Sequence, residues 1–302
     1  MTKSDNCKSN LLQPLFLLIL TSLLWSTGGV LIKLVNINPM TIAGFRSLFA
    51  CIVFLPFVGN PFKIKLNKLK LLCAIFYAGN VTLIVIATIY TASANAILLQ
   101  YTAPIYVTLF SKIFLKEDVS KREYITVAGV LIGIAIFTYD GLTSEGMMGN
   151  VLAMISGIFF AGVFILTKKL HTSSSFEPLF LGNLLAAIIC SPFFFGQNIS
   201  FKQLSMLLVL GVFQLGIPYV LYAFAIEHIS AVQASLITTL EPILNPLWVF
   251  LATGELPSIL SLIGGLIVIL FITLNNIIAG ISRSKIRNIN QAEWMKSSSS
   301  NS

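Results

Sequence analysis

The chain is a series of long apolar runs separated by short polar joints. A helix needs about 20 mostly apolar residues to cross a hydrocarbon layer roughly 30 Å thick. The runs are continuous rather than alternating, which excludes a transmembrane β-barrel. The sequence therefore predicts an all-α integral membrane protein with ten transmembrane helices. These are expected at 11–34, 40–58, 70–90, 93–115, 122–139, 149–169, 177–195, 204–226, 231–253 and 257–279.

Charged residues are too few for a soluble domain. They make up 10% of the 302 residues, against about 25% in an average soluble protein. The net charge of +8 comes from basic residues in short runs between apolar segments, which is the pattern of membrane topology rather than of nucleic-acid binding. We expect a multi-pass protein of the cell membrane whose surroundings are lipid, with no nucleic-acid partner.

Lysine and arginine positions predict the direction of the chain in the membrane, because cytoplasmic segments carry an excess of these residues. With a cytoplasmic N-terminus, 16 of the 19 fall on the cytoplasmic side, and the others are Lys33, Lys202 and Arg46. We therefore expect an N-in, C-in protein with a cytoplasmic segment at 1–10 and a polar cytoplasmic tail at 283–302. The 16 residues are Lys3, Lys8, Lys63, Lys65, Lys68, Lys70, Lys112, Lys116, Lys121, Arg122, Lys168, Lys169, Arg283, Lys285, Arg287 and Lys296.

The two halves of the chain resemble each other. Residues 93–117 align without gaps on residues 231–255, and this alignment pairs Pro104 with Pro242. The offset stays near 136–138 residues in other matches along the chain. A constant offset across several helices indicates an internal repeat rather than a coincidence between apolar segments.

The repeat predicts an inverted architecture. Residues 11–139 and 149–279 would each contain five spans, and an odd number places the second unit upside down relative to the first. Inverted repeats are typical of secondary transporters, which bind substrate near the midplane where the repeats meet. Proline-interrupted helices in corresponding positions point to that site. Here they are the fourth and ninth, with Pro104 and Pro242.

Polar side chains recur every three or four positions on five of the expected helices, as they do on one helical face. Lipid cannot satisfy such groups, so they either form hydrogen bonds between helices or line a substrate path. The ninth helix, taken whole, favours a path. The residues are Ser235, Thr238, Glu241, Asn245 and Trp248; Gln214, Pro218 and Tyr222; Gln100, Pro104, Thr108 and Ser111, with Tyr101 beside them; Tyr77 and Asn80; and Ser22, Trp25, Ser26 and Gly29.

Glu241 is a carboxyl group in the middle of an apolar run. It lies about 15 Å deep by helical rise, where an ionisable group costs about 2.5–3.5 kcal/mol on insertion scales. The adjacent Pro242 removes a backbone donor and frees a carbonyl one turn earlier. Three roles are open for Glu241: it binds a cationic group of a substrate, it takes up the proton that couples transport, or it forms an ion pair with Arg46.

Patterns typical of enzymes are missing from the sequence. An intramembrane enzyme needs a nucleophile with a base, a carboxylate pair or a histidine-rich metal set. The two histidines, His171 and His228, are far apart, and the four cysteines show no CxxC spacing. We expect neither enzymatic activity nor a metal or other cofactor.

The layout of five plus five helices resembles the EamA family of the drug/metabolite transporter superfamily. So do the segments WSTGGVLIK at 25–33, ANAILLQYTAPIYVTLFSKIFLKE at 94–117 and YVLYAFAIEHISAVQASLITTLEPILNPLWVFLATGE at 219–255. The resemblance covers about residues 15 to 279. It implies a compact bundle in which helices 1, 3, 4, 6, 8 and 9 surround a central cavity. The small multidrug-resistance relatives use a carboxylate in the first helix for proton exchange, and this first helix has none.

The resemblance also implies transport of small organic metabolites, such as amino acids, in the outward direction. We therefore predict a secondary transporter that exports a small-molecule substrate by alternating access, as a monomer or weak homodimer, with the proton as a candidate coupling ion. A flippase for a lipid carrier or a polar lipid is the alternative. A scaffold without transport fits less well, because it needs no polar stripes.

Overall fold

The computed structural model is built of helices. No strand occurs among the residues it describes, which confirms the all-α prediction for that part of the chain. The expected tail at 283–302 lies outside it. The described residues are 3–139, 146–170, 175–253, 259–260, 262–275 and 277–278.

The helices follow the expected apolar runs, but several runs are divided into two pieces. The first helix begins at Lys3, within the segment that was expected to precede it. π-helical segments occupy Ser111–Leu115 and Leu210–Gly216. The helices are α1 Lys3–Trp25, α2 Gly28–Val35, α3 Pro39–Val58, α4 Lys68–Tyr90, α5 Ser93–Gln100, α6 Ala103–Phe110, α7 Lys121–Thr138, α8 Met147–Lys169, α9 Phe176–Cys190, α10 Phe201–Val209, α11 Ile217–Ile226, α12 Ala231–Thr238, α13 Leu240–Thr253 and α14 Leu262–Asn275.

Seven helices among the described residues are long and apolar enough to cross a membrane. The expected fifth span corresponds to α7, the ninth to α12 and α13, and the tenth to the shorter apolar helix α14. A multi-pass membrane protein is therefore supported, while the count of ten spans stays a prediction. The seven are Leu12–Val35, Pro39–Val58, Lys68–Tyr90, Ser93–Leu115, Met147–Lys169, Phe176–Phe194 and Phe201–Ile226.

Two helix breaks lie at matching places in the two halves. Helix α5 ends at Gln100 and α12 ends at Thr238, an offset of 138 residues. Each break comes four residues before a proline, Pro104 or Pro242, which has no N–H to donate to the carbonyl one turn earlier. After each break a threonine hydroxyl donates to the carbonyl three residues back, at 2.9 Å in the first half and 2.5 Å in the second. Local sequence therefore causes both breaks.

A third break divides the first span between α1 and α2. The hydroxyl groups of Ser26 and Thr27 each donate to a carbonyl three residues back at 2.7 Å. Such bonds compete with the helical ladder and bend helices. The break leaves the carbonyl of Trp25 at the centre of the bundle, where a side chain from another helix reaches it.

The contacts between the halves form two matching sets. Helix α4 packs on α8 and α9, while α11 and the π segment before it pack on α1 and α3. By the offset of the repeat, α4 corresponds to the π segment and α11, α8 corresponds to α1, and α9 corresponds to α3. The two sets of contacts are therefore equivalent. The space at the centre is therefore enclosed by helices from both halves.

The start of α4 and the end of α8 lie at one end of the bundle and carry Lys68, Lys70, Lys168 and Lys169. This end is called the basic end below. There the Lys70 ammonium forms an ion pair with Glu177, joining the starts of α4 and α9. The Lys168 ammonium donates to the carbonyl oxygens of Ile226 and Glu227, at 2.9 and 3.3 Å, which joins the ends of α8 and α11. These contacts tie four helices together on one side of the central space.

Candidate functional site

A cavity lies at the breaks of the first and fourth spans. Its volume is about 40 Å³, which leaves room for a few water molecules. Its walls combine polar groups with apolar side chains. Of the residues singled out in the sequence, those that line it are Trp25, Gly29, Arg46, Asn80, Gln100, Gln214 and Glu241.

Glu241 reaches this cavity from the break between α12 and α13. It is the second residue of α13 and is 7% exposed. The hydroxyl of Tyr101, which is in the break between α5 and α6, donates to Glu241 Oε2 at 2.7 Å. The two broken helices therefore meet at one hydrogen bond beside the cavity.

Arg46 enters the cavity wall from α3 and is 2% exposed. Its Nη1 donates to Gln214 Oε1 at 3.3 Å, and its Nη2 donates to the carbonyl oxygen of Val81 at 2.8 Å. Nε has no hydrogen-bond partner among the described atoms. Gln214 in turn donates through Nε2 to the carbonyl oxygen of Trp25 at 3.3 Å. The guanidinium is thus held by neutral oxygen atoms on two neighbouring helices.

A network of amide and hydroxyl groups forms another part of the wall. Gln100 Nε2 donates to Asn80 Oδ1 at 2.7 Å and to Ser156 Oγ at 2.9 Å. Asn80 Nδ2 donates to the hydroxyl oxygen of Tyr219 at 3.0 Å. Because the network is buried and well satisfied, it fixes the relative positions of α4, α5, α8 and α11.

Aromatic rings close the cavity toward the basic end. The ring centroids of Trp25 and Tyr219 are 4.7 Å apart, and those of Tyr77 and Tyr219 are 4.6 Å apart. Farther toward that end, the rings of Phe164 and Tyr222 meet at 5.3 Å. We call this set the aromatic layer, and it separates the cavity from the ionic contacts of the basic end. Its members are Trp25, Tyr77, Tyr101, Phe160, Phe164, Tyr219 and Tyr222.

The structure places Arg46 and Glu241 on the same cavity but with different partners. Glu241 accepts its bond from Tyr101, and Arg46 donates to neutral groups. Within the described part of the chain, the ion pair that forms joins Lys70 and Glu177. In this conformation the two cavity charges therefore share a space without direct contact.

Several residues singled out in the sequence lie behind the cavity wall. Thr238 donates to the carbonyl oxygen of Ser235 at 3.0 Å and so belongs to the break of its own helix. Tyr77 accepts a bond from Asn183 Nδ2 at 2.9 Å, and Tyr222 is a fully buried member of the aromatic layer. Asn245 is 1% exposed, with both amide atoms unpartnered among the described atoms.

Helix breaks and prolines also lie behind the cavity wall. Asn245 lies against the break of the first span, since a Cβ at Gly29 would come within 2.9 Å of its Oδ1. Pro104 and Pro218 each occupy the first turn of a helix, α6 and α11. Pro242 is buried just after the break that it causes.

Sequence spacing missed Tyr219, which lines the cavity. The stripe on the eighth span was read at α-helical spacing, which selected Gln214, Pro218 and Tyr222. A π-helical turn adds one residue, and Leu210–Gly216 is such a segment. Residues five apart, Gln214 and Tyr219, therefore face the same space.

Ser156 and Phe160 on α8 were also missed. They lie four residues apart, the spacing of one helical face; Phe160 lines the cavity, and Ser156 accepts a hydrogen bond from the lining residue Gln100. Ser156 is a single hydroxyl residue in an apolar run. Only its position on the same helical face as Phe160 could have indicated that it belongs to the site.

The family model described as "EamA-like transporter family" matches residues 12–139 and again 147–277. An "uncharacterized transporter" of Archaeoglobus fulgidus is 27% identical over 261 residues, covering 83% of this chain and 92% of that protein. The pseudopaline exporter CntI of Pseudomonas aeruginosa is 24% identical over 184 residues, 58% of this chain and 63% of that one. A crystal structure of a protein 16% identical superposes with a TM-score of 0.71, over 90% of this chain and 98% of that chain.

Proposed function

Because this chain belongs to the EamA-like transporter family, we propose that it moves a small organic metabolite across the cytoplasmic membrane by alternating access. The observation that carries the proposal is the buried polar cavity at the breaks of membrane-embedded helices. Broken helices and polar groups deep in a membrane are costly, and in transporters they mark the substrate path.

The ten spans form two inverted five-helix repeats, at 11–139 and 149–279. Three observations support this architecture: the matching breaks at Gln100 and Thr238, the equivalent helix contacts, and a family model that matches twice. Inverted repeats that enclose a site can rock against each other and open it to one side at a time.

The basic end faces the cytoplasm, which makes the protein N-in and C-in. Its lysines support this orientation through the positive-inside rule. The aromatic layer then separates the cavity from the cytoplasm, and the ion pair between Lys70 and Glu177 holds α4 and α9 together below it. The present cavity has room for a few waters only, so the walls must separate to admit a metabolite.

Transport is outward and is coupled to protons through Glu241. The relative that is named an exporter supports the direction. The buried position of Glu241 supports the coupling, because embedded carboxyl groups mark proton relays in transporters. A carboxyl group that holds a proton in one state and a cationic substrate group in another cannot hold both, which links proton entry to substrate exit.

A metabolite survey tests the function. Cells that lack the protein and cells that overproduce it are compared for internal and external pools, and any compound that shifts is then used in counterflow with reconstituted protein. One or more small polar metabolites should accumulate outside overproducing cells and exchange across the proteoliposomes. Unchanged pools together with absent counterflow would overturn the proposal, and movement of a fluorescent polar lipid instead would indicate a flippase.

A further inference from the structure

We propose that Arg46 anchors a carboxylate group of the transported metabolite, and this inference rests on the transport function proposed above. The substrate class that follows is a small zwitterion, with a carboxylate for Arg46, an ammonium group for Glu241 and an apolar remainder.

Within the part of the chain that the structure describes, Arg46 is a buried cation without a direct anionic partner. It is 2% exposed, and the groups that accept its hydrogen bonds are the amide of Gln214 and the carbonyl of Val81. Taking a charge out of water costs several kcal/mol unless an opposite charge compensates it. The carboxylate of a substrate, admitted when the cavity walls separate, would supply that compensation.

The donors of Arg46 are only partly used. A guanidinium has five N–H donors in a rigid fork that matches the two oxygen atoms of a carboxylate. The two bonds to Gln214 and Val81 use one hydrogen each, and Nε has no partner among the described atoms. The group is therefore able to hold a carboxylate while it keeps its present contacts.

Gln214 holds the guanidinium in place before substrate arrives. Its Oε1 accepts from Arg46, and its Nε2 donates to the carbonyl oxygen of Trp25 at the first helix break. Gly28 makes room for this amide, since a Cβ there would come within 2.5 Å of Gln214 Nε2. A preorganised anchor binds more tightly because less ordering is required on binding. Gln214 is thus a positioning residue for Arg46.

The rest of the cavity defines the remainder of the substrate. The Glu241 carboxyl lines the same space, so a molecule that also carries an ammonium group complements both walls, while a multiply charged anion does not. Most of the other lining side chains are aliphatic or aromatic, which fits an apolar substituent. We therefore expect an apolar amino acid or a close analogue. The aliphatic residues are Ile32, Val81, Ile84, Ile97 and Leu215.

The first test needs no variant. The full chain is reconstituted in lipid nanodiscs, and binding of the twenty standard L-amino acids is measured by thermal stabilisation. For each that binds, the carboxamide counterpart is compared, for example L-leucinamide with L-leucine. Loss of the charged hydrogen bonds should weaken binding roughly tenfold to a hundredfold. Absence of binding by the whole panel, or equal binding of acid and amide, overturns the proposal.

The second test changes the anchor. Arg46→Lys keeps the charge but loses the fork, and Arg46→Gln loses both, so apparent affinity should fall in that order. Lys33→Gln, at an exposed basic residue of α2, is the control and should bind as the native chain does. The melting temperature without ligand checks folding of each variant. If Arg46→Gln does not fold, Arg46→Lys and the comparison of acid with amide test the proposal. Unchanged affinity in Arg46→Lys would contradict binding of the carboxylate by the two-pronged guanidinium.

The outcome also separates this inference from the proposed function. If the exported compound has no carboxylate and its export is unaffected by Arg46→Lys, the transport function stands and the anchoring role of Arg46 is contradicted. Absence of any transported compound in the metabolite survey removes the transport function itself.

Discussion

The hydroxyl of Tyr101 donates to the carboxyl group of Glu241 at 2.7 Å, and this bond joins the break of the fourth span to the break of the ninth. Both residues are buried. A change of protonation or partner at Glu241 therefore acts directly on the contact between two half-helices, one from each half of the chain.

Glu241→Gln should abolish net flux or uncouple it from a pH gradient. Glutamine keeps the shape and still accepts a bond from Tyr101, but it neither carries charge nor exchanges a proton at that position. Flux of the identified substrate is measured in proteoliposomes with and without a pH gradient. Asp118→Asn, at an exposed carboxylate, is the matched control. Normal pH-dependent transport by Glu241→Gln would contradict the coupling role.

Tyr101→Phe should lower the stability of the purified protein and slow transport. The change removes the donor to Glu241 and leaves the ring in the aromatic layer, so the expected cost is that of leaving a buried acceptor without this donor, about 1–3 kcal/mol. The melting temperature in detergent and the transport rate are the measurements. Tyr124→Phe, at an exposed tyrosine, should change neither. Equal behaviour of the two variants would show that the bond to Glu241 is not important.

Glu177→Gln should open the basic end more often. The change breaks the ion pair with Lys70, whose side chain is 8% exposed, and a loss of about 1.4 kcal/mol would raise the open population about tenfold. Cys73 reports the opening, because it lies three residues beyond Lys70 and is fully buried.

The measurement is the rate at which N-ethylmaleimide modifies Cys73 in a chain that has alanine at its other three cysteines. Faster modification is expected in Glu177→Gln than in the parent. Lys68→Gln changes an exposed lysine of the same helix turn and should leave the rate unchanged. If both variants react at the parental rate, the ion pair does not hold this end closed.

Reporter fusions test the inverted architecture. With five spans in each half, a reporter after position 145 should lie outside the cell and one after position 290 inside. Alkaline phosphatase is active only at the first position and a fluorescent protein only at the second if this is correct. Both reporters on one side of the membrane would contradict inverted repeats and weaken the transport mechanism built on them.

Much of the backbone structure could be predicted, because the sequence features that determine it are local. Apolar runs define the helices, and Pro104 and Pro242 each withdraw the donor to the carbonyl four residues back, so the breaks after Gln100 and Thr238 follow from the sequence. Spacing on single helices also identified most of the polar cavity wall. These features depend on residues that are close in the chain.

The features of the site that could not be predicted depend on tertiary structure. Tyr219 reaches the cavity because a π-helical segment shifts the register of its span, and periodicity at 3.6 residues selects Tyr222 instead. Depth alone allowed a contact between Arg46 and Glu241, whereas the fold brings Gln214 and Val81 to the guanidinium. Partners of this kind are set by helix packing, which spacing within one helix does not encode.

The break of the first span has a practical consequence for spectroscopy. Trp25 ends α1 and lines the cavity, and Trp248 donates through its indole N–H to Ser26 Oγ at 2.7 Å, one residue farther along. Two of the three tryptophans in the chain therefore lie where a molecule bound in the cavity would change the local polarity and water content. Their ultraviolet emission should therefore report occupancy of the cavity without any attached dye.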